Sequence, residues 1–413
     1  MVASRSGQRQ HRRPRPRGAG PAGARTPQLV SFPTDVLTIQ SIETIPLRIP
    51  LPFTYKGSYY KMRNRCTIVT RIHTAEGVVG EAYNADEDEP LQSEIRSIIH
   101  EEIVPLLVGQ DAMAVERCWQ RMLPVTFDQL RPRWYAMQAM ACIDTAIWDA
   151  FGKAVGQPLW RLWGGYRDRV PMIGIGGYYV PTDGSEKGNE IEDEIDFFRD
   201  EHGMVGMKFK VGARPPEEDV ARLVRARRHA GDDFLFVVDA NQGYTVAEAL
   251  AFLAMARAEG IELRWFEEPT RWHGDARSLR DVRMRGNVAV AAGQSEHSRV
   301  GMREMMVMGA IDVSNYDASW GGGPTEWRRV AAMASAFDVE LGHHEEAHLG
   351  AHLLASVPGG TFVEAFSPAR DPIFWNLILN RPKLVDGMFP LPERPGLGWE
   401  LDEDYIEGHR VDR

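Results

Sequence analysis

Three short apolar runs between Met207 and Pro269 end in charged residues that could do chemistry. They read Met-Lys-Phe-Lys-Val-Gly, Phe-Val-Val-Asp-Ala-Asn-Gln-Gly and Trp-Phe-Glu-Glu-Pro. Residues 217–230 and 245–259, between the runs, have helical spacing, which predicts parallel strands in βαβ units. The carboxyl ends of such strands are where α/β sheets and barrels place their chemistry. Two lysines, an aspartate and a glutamate that meet there indicate a metal site with bases beside it.

Candidate metal ligands end successive strands of this series. Asp239 ends the second run and Glu267 the third, and the next apolar run ends in Gly293-Gln-Ser-Glu. Oxygen ligands that converge at one edge suit Mg2+. The third ligand is either the neutral carbonyl of Gln294 or the carboxylate of Glu296, because both could face the same side of a strand. The preference of Mg2+ for a carboxylate favours Glu296 slightly, whereas strand geometry favours Gln294.

Lys208 and Lys210 lie two residues apart on a predicted strand, so their side chains point the same way. Met207, Phe209 and Val211 alternate with them and predict a buried opposite face, which leaves the lysines in the lumen of a barrel. A divalent cation nearby would lower the pKa of an inward lysine toward that of a usable base.

Acid and base candidates also end the later strands. Asp317 closes the predicted sixth strand and His344 the seventh, within Gly-His-His-Glu-Glu. A carboxylate beside an imidazole fixes the tautomer of the ring and raises its basicity. Glu364 lies between apolar neighbours on the last strand, where a protonated carboxyl group could donate to a developing enolate oxygen. The alternative for Glu364 is a structural acid paired with a lysine.

The elements that must position these residues fall into two series. Alternating apolar residues predict antiparallel strands between 35 and 82, with a polar, aromatic loop at 52–65, and helical spacing follows at 91–107, 115–122 and 136–155. Strand and helix then alternate, and we count eight strands, near 170–176, 204–210, 234–239, 263–267, 288–293, 310–315, 339–343 and 361–365. Helical stretches between them include 300–308, 325–337 and 349–355. Eight parallel strands predict a closed (β/α)8 barrel.

These patterns predict an α/β fold in which a modified (β/α)8 barrel carries an N-terminal α+β capping domain. Residues 35–165 would form the capping domain and residues 166–370 the barrel. The Pro- and Gly-rich segment 371–413 is expected to pack back on the capping domain and complete it. Residues 1–34 contain seven arginines and no acid. We expect them to form a disordered basic tail, or to be an over-long start, rather than a transit peptide or a nucleic-acid arm.

Composition argues against several classes of protein. The chain has 413 residues and a net charge of −10, which argues against nucleic acid as the main partner. No apolar run approaches the roughly 20 residues that span a bilayer, so no membrane partner is expected. Cys66, Cys118 and Cys142 lack paired spacing and suit buried thiols in a reducing cytoplasm.

Seven motifs follow one another along the chain: KxK, DANQ, FEEP, GQSE, NYDASWGG, GHHEE and FVEAF. Together they resemble the enolase superfamily, specifically its mandelate racemase-like subgroup of the acid-sugar dehydratase type. The resemblance runs from about residue 35 to the C-terminus. It implies a Mg2+ cofactor, a small carboxylate substrate that loses its α-proton, and a homo-oligomer.

The resemblance also implies a role for each catalytic candidate. Lys210 would be the base on one face of the substrate α-carbon, with Lys208 supporting it and touching the substrate carboxylate. His344, oriented by Asp317, would be the acid and base on the other face, and Glu364 the acid near the substrate carboxylate. The strand-end oxygens described above would hold Mg2+. Further substrate contacts are expected from Lys56, Tyr59, Lys61, Asn241 and His343.

Two reactions are open to a site with bases on both faces of its substrate. If the β-carbon carries a hydroxyl, protonated His344 can expel it as water, which makes the enzyme a dehydratase. The hydrogen-bonding groups of residues 55–61 favour this reaction on an aldonate or aldarate, giving a 2-keto-3-deoxy acid. Reprotonation on the opposite face would instead make a racemase or epimerase of a 2-hydroxy acid.

Two other activities rank lower. A cycloisomerase is disfavoured because that branch of the superfamily usually has a lysine where His344 stands. From a different class, the chain could be a non-catalytic binding protein on a decayed scaffold, with Gln294 as the lesion, because the family most often has Glu at this position. A decayed site would not keep both bases, so the presence of five residues together argues against decay: Lys208, Lys210, Asp317, His344 and Glu364.

Overall fold

The computed structural model describes residues 36–84, 89–179 and 191–412, and the predicted basic tail of residues 1–34 lies outside this part of the chain. Within these ranges no helix is long and apolar enough to cross a membrane. The three cysteines are free thiols and all are buried.

An antiparallel sheet opens the described chain, with strands β1 (Ile39–Lys56), β2 (Lys61–Thr74) and β3 (Val79–Asn84) in that order. The predicted loop at 52–65 is wrong in its extent, because Tyr55 pairs with Met62 and the connection shrinks to residues 57–60. Tyr55 lies in an apolar cluster against which Phe53 and Met62 of the hairpin pack, and the rings of Phe53 and Tyr55 lie 4.5 Å apart. At its tip Ser58 Oγ lies 3.1 Å from Val211 O, so the hairpin touches the barrel.

Helices α1 (Glu89–Ser97), α2 (Val104–Leu107), α3 (Val115–Met122), α4 (Arg133–Val155) and α5 (Leu159–Leu162) follow the sheet. A π-helical turn, Ile98–Ile103, joins α1 to α2 within the helix predicted at 91–107. Helix α4 is mostly buried and packs on β3. Gly80 permits this close approach, because a Cβ there would collide with the backbone oxygen of Ala146.

Eight parallel strands form the barrel, and all of them lie at the predicted positions. They are β4 (Arg169–Gly176), β5 (Gly206–Lys210), β6 (Leu235–Asp239), β7 (Phe266–Glu267), β8 (Val290–Ala292), β9 (Val313–Ser314), β10 (Glu340–Leu341) and β11 (Val363–Phe366). The ring closes where Leu341 N–H donates to Gly359 O at 2.8 Å and Thr361 N–H donates to Leu341 O at 2.8 Å. The predicted (β/α)8 barrel is therefore confirmed.

The barrel helices are α6 (Ile191–Asp196), α7 (Pro216–Ala230), α8 (Val246–Ala258), α9 (Arg277–Gly286), α10 (Arg299–Val307), α11 (Pro324–Ala334) and α12 (Ala347–Ala355). Five of them match helical spacing in the sequence, but α6 and α9 were not predicted. Helix α9 buries only Leu279, Val282 and Gly286, which is too little for a recognisable apolar stripe.

The C-terminal segment joins the two parts of the fold. It contains α13 (Pro372–Asn376), β12 (Met388–Pro390) and α14 (Glu403–His409), although the sequence shows little helical pattern there. Strand β12 pairs antiparallel with β4, while Val411 N–H, just after α14, donates to Pro46 O of β1 at 3.1 Å. The segment thus packs on the barrel as well as on the N-terminal sheet.

A buried carboxylate ties the N-terminal helices to the barrel. Asp144 of α4 accepts hydrogen bonds of 2.8 Å from both the N–H and the hydroxyl of Thr325, in the first turn of α11. Gly323 has a φ of 90° at the start of that helix, and a Cβ there would collide with Asp144. Asp144 therefore caps a helix that belongs to the other part of the fold.

We expect Asp144→Ala to lower the free energy of unfolding by about 1–2 kcal/mol, the usual cost of removing a helix cap. Asp144→Asn is the matched variant, because its amide oxygen can still accept one of the two hydrogen bonds, so its loss should be smaller. Urea denaturation measures both values. Equal losses in the two variants would contradict the capping role.

Candidate active site

Two buried carboxylates lie side by side at the carboxyl ends of the strands. Asp239 on β6 pairs in register with Glu267 on β7, and both side chains are inaccessible to solvent. Asp239 Oδ1 accepts the N–H of Asn241 at 2.8 Å, and Glu267 Oε1 accepts the side-chain amide of Asn315 at 2.9 Å. These bonds orient both carboxylates while leaving lone pairs for further contacts.

The two lysines of β5 bind these carboxylates from inside the barrel. Lys208 Nζ lies 2.8 Å from Glu267 Oε1 and 2.7 Å from Glu364 Oε2, and Lys210 Nζ lies 2.6 Å from Asp239 Oδ2. Burial alone would lower the pKa of each lysine, but the carboxylates outweigh it and raise both values. Protein charges thus act against the lowering that a nearby cation is expected to cause.

The predicted acid/base dyad, His344 and Asp317, lies on the other side of the barrel from the two lysines. His344, after β10, places Nδ1 2.9 Å from Oδ2 of Asp317, which follows β9. Asp317 Oδ1 accepts the N–H of Ser319 at 2.7 Å and its hydroxyl at 2.6 Å, so the carboxylate is fixed. The Trp320 ring lies 5.0 Å from the imidazole and covers one side of it. The predicted contact between Asp317 and His344 is therefore present.

Gln294 and Glu296 differ in where their side chains lie. Gln294 is buried, lines the cavity beside Lys210, and within the described residues its Oε1 has no hydrogen-bond partner. Glu296 turns toward α10, where it packs against Gly301, and its Oε1 accepts the N–H of His297 at 3.1 Å. Of these two side chains, Gln294 is therefore the one that lines the cavity with an unpaired oxygen.

The donor set suits Mg2+. Across residues 36–84, 89–179 and 191–412, no three His, Cys, Asp or Glu side chains cluster closely enough to hold a metal ion. Asp239, Glu267 and the unpaired oxygen of Gln294 nevertheless supply three oxygen donors at adjacent strand ends. Mg2+ is commonly held by one or two carboxylates and completes its shell with water and substrate oxygens.

A cavity of about 750 Å3 lies above these groups. Its floor includes Lys210, Asn241 and His344, and the hairpin between β1 and β2 covers it with residues 60–64. Of the predicted loop contacts, Lys61 reaches this cavity, as does the neighbouring Tyr60, whereas Lys56 and Tyr59 line only a second cavity of about 780 Å3 beside Arg214. Tyr60 and Lys61 line both cavities, so this part of the hairpin lies between them.

His343 faces away from the cavity. Its Nε2 accepts the N–H of Ala318 at 3.1 Å, and its Nδ1–H donates to the backbone oxygen of Glu345 at 3.2 Å. Burial lowers the pKa of His343 below its ordinary value, which matches a neutral ring with one donor and one acceptor nitrogen. Both ring nitrogens of His343, a predicted substrate contact, are therefore bonded to backbone groups, and the residue does not line the cavity.

Sequence reasoning missed four charged residues of the cavity: Arg63, Glu268, Glu345 and Arg370. Glu268 and Glu345 have φ values of 37° and 47°, in the left-handed region. That backbone turn brings each side chain to the cavity beside the motif residue before it, whereas strand alternation predicts the opposite face. Arg370 lies past the end of β11, outside any motif. For Glu268 and Glu345, the sequence signal that could have found them was the pair of adjacent acids in the motifs FEEP and GHHEE.

Arg65 connects the N-terminal sheet to the loop that carries His344. This fully buried residue of β2 places Nη2 2.6 Å from Glu346 Oε1 and Nε 3.1 Å from Asp371 Oδ1. Glu346 Oε2 also lies 3.2 Å from His348 Nδ1, and Glu346 has a φ of 43°. The buried cation thus holds the left-handed turn directly after the dyad.

Two family models match the chain. The model described as "Enolase C-terminal domain-like" matches residues 190–405, and the model of the mandelate racemase / muconate lactonizing enzyme N-terminal domain matches residues 42–164. Their boundary falls near the start of the barrel.

Curated relatives and a solved structure cover most of the chain. The 3,6-anhydro-alpha-L-galactonate cycloisomerase of Streptomyces coelicolor is 31% identical over 88% of this chain and 97% of its own length. The arabinonate dehydratase of Saccharolobus solfataricus is 29% identical over 83% of this chain and 90% of its own length. A mandelate racemase/muconate lactonizing enzyme from a marine actinobacterium, solved in complex with magnesium, is 52% identical with a TM-score of 0.84, covering 91% of this chain and all of that one.

We expect Arg65→Met to lower the free energy of unfolding by about 3–5 kcal/mol, because it leaves two buried carboxylates without their cation. The double variant Arg65→Met/Glu346→Gln should lose less than the sum of the two single variants. Urea denaturation of all four proteins gives the coupling. Arg169→Met on β4, whose ion pair with Asp168 is exposed on both sides, should lose about 1 kcal/mol or less. Strict additivity of the Arg65 and Glu346 effects would refute the connection.

Proposed function

Since this chain belongs to the mandelate racemase and muconate lactonizing enzyme family of the enolase superfamily, we propose that it is a Mg2+-dependent dehydratase of sugar acids. The observation that carries the proposal is the placement of Lys210 and His344, from β5 and β10, in one cavity. An amine and an imidazole that face the same substrate can remove its α-proton and expel its β-hydroxyl. The product would be a 2-keto-3-deoxy acid.

Asp239, Glu267 and Gln294 would hold the magnesium ion. The magnesium complex of the 52% identical relative supports this cofactor. When bound, Mg2+ would supply positive charge that stabilises the ene-diolate oxygens and lowers the pKa of Lys210. We choose Gln294 over Glu296 because the carboxylate of Glu296 is engaged with the N–H of His297 and packs against α10.

The remaining steps belong to side chains of the barrel. Lys210 would take the α-proton on Nζ. Lys208, whose Nζ lies 2.7 Å from Glu364 Oε2, would hold the substrate carboxylate, and Glu364 would contact it only as the protonated acid. His344 would give its Nε2 proton to the departing hydroxyl oxygen, while Asp317 holds the ring through Nδ1. The α-proton and the hydroxyl thus leave toward different side chains.

The cavity favours a polyhydroxylated substrate. Its volume of about 750 Å3 is within the range of small-molecule sites. Polar and cationic groups line its upper part: Lys61, Arg63, Asn64, Gln242 and Arg370. Such groups can bind several hydroxyls, and the relative named arabinonate dehydratase supports an aldonate. The three cations would also accept a second carboxylate, so an aldarate is the other substrate class.

A cycloisomerase of an anhydro sugar acid is a second candidate function. The Streptomyces coelicolor relative carries that name, which supports this reaction more than the motifs alone do. In an anhydro acid a ring oxygen can take the place of the β-hydroxyl, and the same proton donor would then open the ring without releasing water. His344 is compatible with both reactions.

Purified protein with Mg2+ is expected to convert one or a few aldonates or aldarates to a 2-keto acid, detected with semicarbazide. Lys210→Met should abolish both keto-acid formation and exchange of the α-proton in D2O, since the base is gone. His344→Asn should keep the exchange but lower keto-acid formation by roughly 10²–10⁴-fold, because the proton donor is lost.

Arg214→Met is the matched control for this screen. Arg214 lines the second cavity, so this variant should keep wild-type activity. Inversion of the α-carbon without keto acid would move the assignment to a racemase or epimerase. Keto acid from an anhydro acid alone would establish the cycloisomerase.

Calorimetric titration with Mg2+ tests the third ligand. Gln294→Glu should bind Mg2+ roughly tenfold more tightly than wild type, because a carboxylate adds one ligand charge. Glu296→Gln should bind as wild type does. A loss of affinity in Glu296→Gln without a gain in Gln294→Glu would instead place the third ligand at Glu296. Binding in Gln294→Glu but not in wild type would support the decayed scaffold.

A further inference from the structure

The imidazole of His344 lies between two carboxylates. Its Nδ1 is 2.9 Å from Asp317 Oδ2, and its Nε2 is 3.2 Å from Glu345 Oε1. All three side chains are buried. An ionised carboxylate only accepts hydrogen bonds, whereas a neutral imidazole has one donor nitrogen and one acceptor nitrogen. A neutral ring would therefore direct a lone pair at one of the two carboxylates.

Both carboxylates have neighbours that donate hydrogen bonds or carry positive charge. Asp317 Oδ1 accepts two hydrogen bonds from Ser319, one from its N–H and one from its hydroxyl. Burial alone would raise the pKa of Glu345, but the attraction to a protonated His344, and then to Arg370, outweighs burial and lowers the pKa below its ordinary value. A protonated ring can donate to both carboxylates, one from each nitrogen, whereas a neutral ring can donate to only one of them.

Other charges around the ring act in both directions. Glu268, after β7, lies near His344, but burial raises its pKa to about 7, so it carries only part of a negative charge at neutral pH. Lys210 and Arg370 line the same cavity and oppose a protonated ring. His343, the preceding residue, has a pKa lowered by burial and adds no charge at neutral pH. For His344 itself burial lowers the pKa, but Glu345 and Asp317 outweigh it and raise the pKa well above its ordinary value.

The backbone fixes Glu345 at this position. Its φ of 47° is unfavourable for a residue with a Cβ, and two hydrogen bonds stabilise it. Its N–H donates to Glu364 Oε2 at 3.1 Å, and its carbonyl oxygen accepts Nδ1–H of His343 at 3.2 Å. The carboxylate is therefore directed at His344 Nε2 by the fold of the loop.

We propose that Glu345 is a positioning residue that, together with Asp317, keeps His344 as a doubly protonated imidazolium in the resting enzyme. This inference rests on the proposed function and assigns proton donation to His344. Its Nε2 proton goes to the β-oxygen as the carbon–oxygen bond breaks and water leaves, while Lys210 holds the α-proton. His344 then regains a proton from solvent and Lys210 releases one, so no net proton is consumed. A racemase would need neutral His344 in one direction.

Nitrogen NMR of the full chain, labelled with ¹⁵N in its histidine rings and free of substrate, tests the proposal. The His344→Gln variant assigns the signal by its loss. Wild-type His344 should be protonated on both nitrogens at about pH 8, above the ordinary histidine pKa of about 6.5. In Glu345→Gln the midpoint of titration should fall by about one pH unit or more. Glu345→Asp, which keeps the charge, should restore part of the shift.

An internal control is present in the same spectrum. His352 lies between the N–H of Trp160 and the carbonyl oxygen of Leu397, away from the dyad, so its signal should not move in Glu345→Gln. A wild-type His344 that is neutral at pH 7, or a midpoint unchanged in Glu345→Gln while His352 is intact, would overturn the proposal.

Kinetics provides a separate readout if a substrate is found. An acid must be protonated to act, so kcat should fall as pH rises through the pKa of His344, and Glu345→Gln should move that fall to lower pH. The NMR result needs no turnover. Failure of the dehydratase assay with an imidazolium at His344 would therefore refute the proposed function alone.

Discussion

The structure of the site depends on the pairing of charges buried among the strand ends. Lys208 and Lys210 bind three carboxylates, Asp239, Glu267 and Glu364, and all five side chains are almost inaccessible to solvent. An unpaired charge at that depth would cost several kcal/mol, so each group requires its partner. The partners come from four strands, β5, β6, β7 and β11, and the array exists only when these strands are in register. The strand pairing that forms the barrel therefore also brings these charged side chains together.

The N-terminal sheet and helices complete this array and also constrain it. Ser58 at the hairpin tip touches the ends of the barrel strands, Asp144 caps α11, and Arg65 reaches the turn after His344. In the proposed function, chemistry and recognition are divided between elements. Strand ends carry the proposed proton-transfer groups, and the hairpin with the chain after β11 supplies the cations and amides proposed to bind the substrate. Variation of the hairpin can change the substrate while the proton-transfer groups stay in place.

Local pattern predicted some features well and others poorly, for identifiable reasons. Each barrel strand is a short apolar run, and all but β4 carry one of the seven motifs, so all eight were found and their parallel order followed. Helix α9 escaped because it buries few residues, and the hairpin was taken for a loop because its polar residues conceal the packing of Phe53 and Tyr55. Lys56 and Tyr59 belong to that same hairpin, but they line only the second cavity, whereas Lys61 lines both.

The sequence by itself determined the family, the barrel, and the strand ends where lysines, acids and a histidine would gather, because strand periodicity and motif order are local properties. Only the tertiary structure decided which neighbouring side chain faces the cavity. It placed Gln294 rather than Glu296 there, and Glu345 rather than His343. The direction of a side chain past a strand end depends on backbone angles such as the positive φ of Glu268 and Glu345. Contacts with distant residues set those angles, among them Glu364 and Ala291.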